Sequence, residues 1–105
     1  MGRALAHVRR SAGRRRAMAA RVSASARPWH WMSATSMAEA VRNRLVTAAA
    51  LAEHHIRRIE EVDGCREHGI NAVVVRRFDE ARERARLADE ALARGESWGP
   101  LHGVP

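Results

Sequence analysis

Past residue 35, hydrophobic and polar positions alternate with two different periods. In "SMAEAVRNRL", Ser36 can cap a helix in which Met37, Val41 and Leu45 recur at helical spacing, with Glu39 in the first turn. In "TAAALAEHHIRRIEEVDG", Thr47 can cap a second helix. Ala48, Leu51, Ala52, His55, Ile56, Ile59 and Val62 form one stripe at the 3.6-residue period. Glu53, Arg57, Arg58, Glu60 and Glu61 occupy the opposite side, and Glu53 stands four residues before Arg57, the spacing of a modest ion pair. The pattern predicts a helix over Thr47–Val62, closed by Gly64 in the left-handed conformation.

After the polar stretch "GCREHG", the period changes. "INAVVV", Ile70 to Val75, is β-branched at four of six positions and apolar on both faces apart from Asn71. Such a run reads as a strand inside a sheet covered on both sides. "FDEARERARLADEALARG" then returns to the helical period over Phe78–Arg94. Phe78, Ala81, Ala85, Ala88 and Leu92 lie along one face, Glu80–Arg84, Arg86–Glu90 and Glu90–Arg94 are spaced for surface pairs, and Gly95 ends the helix. The alanine-lined face suits close approach to another element. "SWGPLHGVP", Ser97 to Pro105, is rich in glycine and proline and reads as a connection. The expected fold class is α/β: mostly helical, with a single strand that needs hydrogen-bonding neighbours.

Charge divides the chain differently from hydropathy. Its net charge is +7 over 105 residues, and all 19 basic residues are arginine. Residues 1–32 hold eight arginines and no acid; the remainder holds eleven arginines against twelve acids, a net charge of −1. Two regions are therefore expected, a basic disordered leader over residues 1–35 and a partial domain over residues 36–105. The leader has too little apolar area to offset its ordering entropy. Four readings fit it: an extension ahead of a working start at Met32 or Met37, an Arg- and Ser-rich transit segment, a phosphate-gripping arm, and a solvated tail. "RPWHW" has the aromatic and cationic mix of a base-stacking platform, on two tryptophans only. No apolar run reaches the roughly 18 residues of a spanning helix, so no membrane is expected. The single cysteine, Cys65, excludes an internal disulfide framework and fits a cytoplasmic setting.

Candidate chemistry is sparse. His54 and His55 are adjacent, so on a helix they diverge by about 100° and cannot jointly chelate a metal. His55 falls in the helix stripe, half-buried, with His54 solvated. His68 and His102 are scattered. Cys65 beside Arg66 is a thiol with a cationic neighbour, and its plain reading is a loop cysteine. Glu60 and Glu61 form a solvated helix end rather than an acid–base pair. These patterns assign no catalytic, cofactor-binding or metal-binding residue, and no cofactor.

The order of motifs carries more information than any one of them. "HHIRRIEEVDG", "INAVVV", "FDEARERARLADEALARGE" and "GPLHGVP", in that order, resemble the N-terminal part of the amidase signature family over roughly residues 36–105. "GPLHGVP" is the most specific of the four. This family of serine hydrolases cleaves carboxylic amides and includes the A subunit of the glutamyl-tRNA amidotransferase. The resemblance implies that residues Gly99–Pro105 lead to a strand bearing a catalytic lysine, with a bridging serine and a nucleophilic serine in a later Gly/Ser-rich stretch. None of these maps onto the present sequence, which has no lysine. Its serines, at 11, 23, 25, 33, 36 and 97, lie outside any Gly/Ser-rich run. The implied function is an N-terminal fragment of a C–N hydrolase, inactive alone, whose partner is the remainder of an amidase polypeptide. His102 is then loop-shaping. The competing reading is a small basic protein that binds nucleic acid or an acidic partner through its arginine-rich start.

Overall fold

The computed structural model describes residues 28–64 and 67–105. Expectations for residues 1–27 and for Cys65 fall outside these residues. The described elements are a short 3₁₀ turn (Trp29–Trp31) and three helices, α1 (Ala34–Arg42), α2 (Ala48–Val62) and α3 (Phe78–Ala93). The two long helices pack on each other, and the 3₁₀ turn rests on α2.

Each helix end has an identifiable chemical cause. The α1 cap is Ser33, ahead of the Ser36 that the sequence suggests: Ser33 Oγ accepts the Ser36 amide at 3.1 Å. The helix stops at Arg42, short of Leu45. Arg44 takes a left-handed φ of 58°, its amide donates to Val41 O and the Leu45 amide donates to Ala40 O, both at 2.9 Å. Those two bonds are the paired closure of a Schellman motif, here without glycine. The same pair closes α3, where Gly95 has φ 79° and the Gly95 and Glu96 amides reach Leu92 O and Ala91 O. Gly64 departs from expectation, because it is not among the left-handed residues. Glycine is required there by space: an added Cβ would stand 2.8 Å from Glu60 O.

The N-terminus of α2 is capped from two directions. Thr47 Oγ accepts the Ala50 amide at 3.1 Å, as its sequence position predicts. Asp89, on α3, accepts the Ala48 and Ala49 amides at 2.7 and 3.0 Å, one on each carboxylate oxygen. The first three amides of α2 are thus all satisfied, two of them by a side chain from the neighbouring helix. The negative charge also lies at the positive end of the α2 dipole.

The core is small. Met37, Val41 and Leu51 form its centre, with Trp29, Met32, Val46, Leu92 and Val104 packed around them. Buried alanines at 38, 40, 48, 52, 88 and 91 and buried Ile56 complete it. Alanine on the facing sides of α2 and α3 permits their close approach, as the α3 pattern suggests.

The strand expected over Ile70–Val75 does not form: no strand is present among the described residues. Ile70, Val74 and Val75 are 75%, 81% and 71% exposed, and Asn71 takes a left-handed φ of 53°. A β-branched run favours extended backbone, but a strand also needs a second backbone beside it. Here the Asp63 carboxylate substitutes in part, accepting the Ala72 and Val73 amides at 2.6 and 3.1 Å.

The surface charges pair differently from the simple helical spacings. Glu53 binds Arg82 across the α2–α3 interface, with contacts of 2.9 and 3.3 Å, rather than Arg57. Glu80 pairs with Arg77, Arg94 with Glu96, and Arg86 with both Glu83 and the expected Glu90. All of these are exposed, where an ion pair contributes little.

Candidate functional site

The residues of "GPLHGVP" fold back onto α2 and α3, and the histidine holds them there. His102 is 8% exposed. The Trp98 amide donates to its Nδ1 at 3.0 Å, which makes Nδ1 the acceptor. Its Nε2 therefore carries the proton and donates to Ala88 O on α3, at 2.8 Å. Both ring nitrogens are committed, so His102 positions the turn and has no lone pair left for base catalysis. Gly103 brings the backbone against the core. Its φ is 77°, and a Cβ there would meet Val41 Cγ1 at 2.9 Å and the Ala48 Cβ at 3.1 Å. Arg42 Nη2 reaches Pro100 O at 3.4 Å from outside.

Between this turn and the two long helices lies an open apolar groove of about 890 Å³. Ala52, Ile56 and Ile59 form the α2 wall, and Phe78, Ala81 and Ala85 the α3 wall. Leu101, 57% exposed, and Trp98, 50% exposed, stand on the turn side. Polar groups reach the groove at three points. Arg84 lies over the Trp98 ring, 5.9 Å from its centroid. His55 Nδ1 donates to Leu51 O at 2.8 Å, which leaves Nε2 as its other polar atom. The third is His102, already committed. No serine, cysteine or carboxylate lines the groove among the described residues. Its chemistry is that of a surface for apolar side chains, not of a nucleophile and base.

The other residues singled out from the sequence are dispersed. His54 is half-buried rather than solvated, because the His30 ring lies edge to edge with it, with centroids 5.2 Å apart, planes 16° apart and His30 Nδ1 2.9 Å from His54 Nε2. Burial first, then the neighbouring His55, His30 and Arg57, holds the His54 imidazole below its usual range, with Glu61 opposing. The His55 ring lies edge-on to His54, with centroids 5.4 Å apart. His68 is exposed, 3.7 Å from Glu67. Among the described residues, no group of three or more His, Cys, Asp or Glu is placed to hold a metal. No helix there is long and apolar enough to cross a membrane. Three contributions went unseen in the sequence: the Asp89 cap, the Asp63 cradle and the His30–His54 contact. Their partners stand 41, 9 and 24 residues away, beyond any local pattern.

Comparison with curated proteins finds relatives by sequence. Over about 72% of its length the chain is a homologue of amidase signature proteins. It is 40% identical over 76 residues to the A subunit of the glutamyl-tRNA(Gln) amidotransferase from Gluconobacter oxydans, covering 72% of this chain and 14% of that protein. It is 40% identical over 79 residues to an acylamidase of Rhodococcus erythropolis (72% and 15%), and 39% identical over 77 residues to an indoleacetamide hydrolase of Bradyrhizobium diazoefficiens (73% and 14%). The chain thus spans about one seventh of the length of these relatives. No family model matches it, and no solved structure does.

Proposed function

We propose that residues 36–105 are the N-terminal helical portion of an amidase-signature hydrolase acting on carboxylic amide C–N bonds, and that they serve it as scaffold rather than as catalyst. The observation that carries this reading is homology over most of the chain to proteins named as amidases and amidotransferases, at one seventh of their length. Two features of the fold support it. The groove between α2, α3 and the turn is apolar and open, and the run Ile70–Val75 exposes β-branched side chains. In the complete enzyme, further polypeptide covers the groove and pairs with the run, while the His102-anchored turn aims the chain that follows Pro105. The family's Ser–Ser–Lys relay is supplied by that further polypeptide, since the present sequence has no lysine. A cytoplasmic setting, suggested by the lone cysteine, suits such an enzyme.

A graft tests the proposal. The stretch of the Rhodococcus acylamidase that matches this chain is replaced by the corresponding residues of this chain, and acylamide hydrolysis is measured. The graft is expected to fold and to hydrolyse its substrate within about tenfold of the parent. A folded but inactive graft would refute the scaffold role.

A further inference from the structure

The contact between His30 and His54 is unused by the proposed scaffold. His30 belongs to the 3₁₀ turn, and this turn carries Trp29 onto the core beside Met37, Val41 and Leu51. His54 belongs to α2. Their facing nitrogens, Nδ1 and Nε2, are 2.9 Å apart, a hydrogen-bond distance. One of the two must donate and the other must accept. The pair can therefore carry no charge or one charge, but not two, since a second proton would remove the only acceptor and set two imidazolium N–H groups against each other.

We propose that the His30–His54 pair is a proton-sensitive latch, closed when the pair holds at most one positive charge and opened by the second proton, releasing the Trp29–Trp31 turn from α2. The groups facing His54 are His55, Arg57 and Glu61 on α2 and His30 on the turn. Three of the four disfavour a charge there and only Glu61 favours one. Burial first, then His55 and His30, lowers the proton affinity of His54, which agrees in sign: the closed state resists the proton that the open state accepts. Elsewhere the turn holds itself by two internal backbone bonds of 2.9 Å, from the Trp31 amide to Pro28 O and from the Met32 amide to Trp29 O. It can leave as a unit without breaking α2.

The experiment follows tryptophan emission of the full chain, carrying Trp98→Phe so that Trp29 and Trp31 report, from about pH 7.5 to about pH 5, the range in which imidazoles titrate. Opening takes up one extra proton, so the open:closed ratio is expected to rise up to about tenfold per pH unit. Emission should shift to the red while circular dichroism shows the helices intact, and the shift should vanish in His30→Gln and in His54→Gln. Ring-proton NMR of the unmutated chain, which needs no variant to fold, should show the two histidines titrating in separate, coupled steps. Independent single-step titration, no emission change, a change that persists in both variants, or melting of α2 together with the shift would each overturn the latch.

Discussion

Asp89 offers a sharp perturbation because one carboxylate satisfies two amides on another helix. Replacing it with alanine removes the bonds to the Ala48 and Ala49 amides, at 2.7 and 3.0 Å, and leaves the partly buried Ala48 N–H without its acceptor. Hydrogen bonds to charged groups contribute roughly 1.5–3 kcal/mol, and losing a helix cap alone costs about 0.5–2 kcal/mol. The two amides share one cap and the Ala49 bond is exposed, so the sum is not twice the larger figure. A loss of about 2–3 kcal/mol is expected for Asp89→Ala. Asp89→Asn, which keeps one oxygen acceptor and loses the charge at the α2 dipole, should lose about 1–1.5 kcal/mol. For a small domain with roughly 5 kcal/mol of stability, the alanine change removes about half. Urea unfolding monitored by circular dichroism, extrapolated to water, measures both. Glu90→Ala, at an exposed pair with Arg86, is the control and should stay within about 0.5 kcal/mol. If Asp89→Ala matched that control, the cross-helix cap would not hold α2 to α3 and the packing argument would fail.

Other expectations follow the same residues. His102→Ala breaks the bonds to Trp98 N and Ala88 O and should destabilise by about 2–4 kcal/mol, with Trp98 emission shifting as its turn lifts, whereas an unshifted spectrum would contradict the clamp. Gly95→Ala has open space for a Cβ, so it should cost only its left-handed backbone penalty of about 1–2 kcal/mol; Gly103→Ala adds a clash with Val41 and should cost clearly more, measured by the same unfolding. The unfolded chain binds protons more readily than the folded one at His54, so stability should be full above the ordinary imidazole value of 6.5 and fall as pH drops through it; His54→Gln should flatten that limb in thermal melts. Glu53, Glu83 and Glu96, held low by Arg82, Arg86 and Arg94, act in the same direction from about pH 4.5 downward, weakly because they are exposed. Val74→Lys, at a position 81% exposed, should change the stability of this chain by less than about 0.5 kcal/mol yet abolish activity of the acylamidase graft.

What could be read from the sequence divides by range of interaction. The stripe of α2, the Thr47 cap and the end at Gly95 rest on residues within one or two turns of each other, and the structure has them where the period places them. The stripe of α3 holds only in part, since Ala88 is buried but Ala81 is exposed and the fully buried Ala91 lies outside it. The α1 cap shifted by three residues because Ser33, Thr35 and Ser36 all qualify chemically, and only the path of the chain from Trp31 selects among them. Ile70–Val75 shows the opposite failure: composition described its extended preference but could not supply a neighbour, and Asp63 took two of its amides instead. The groove was half visible. The alanine face of α3 announced a close approach, whereas the return of Trp98–Pro105 over it depends on His102 reaching Ala88, 14 residues earlier. Of the histidines, no pattern linked His54 to His30.

The central claim is that these residues shape an amide hydrolase without performing its chemistry. Ammonia release from simple primary amides by the purified chain tests it most directly. No release above buffer is predicted at any pH between about 6 and 9, where a serine relay would operate. Sustained turnover that survives repurification and saturates with substrate would contradict it.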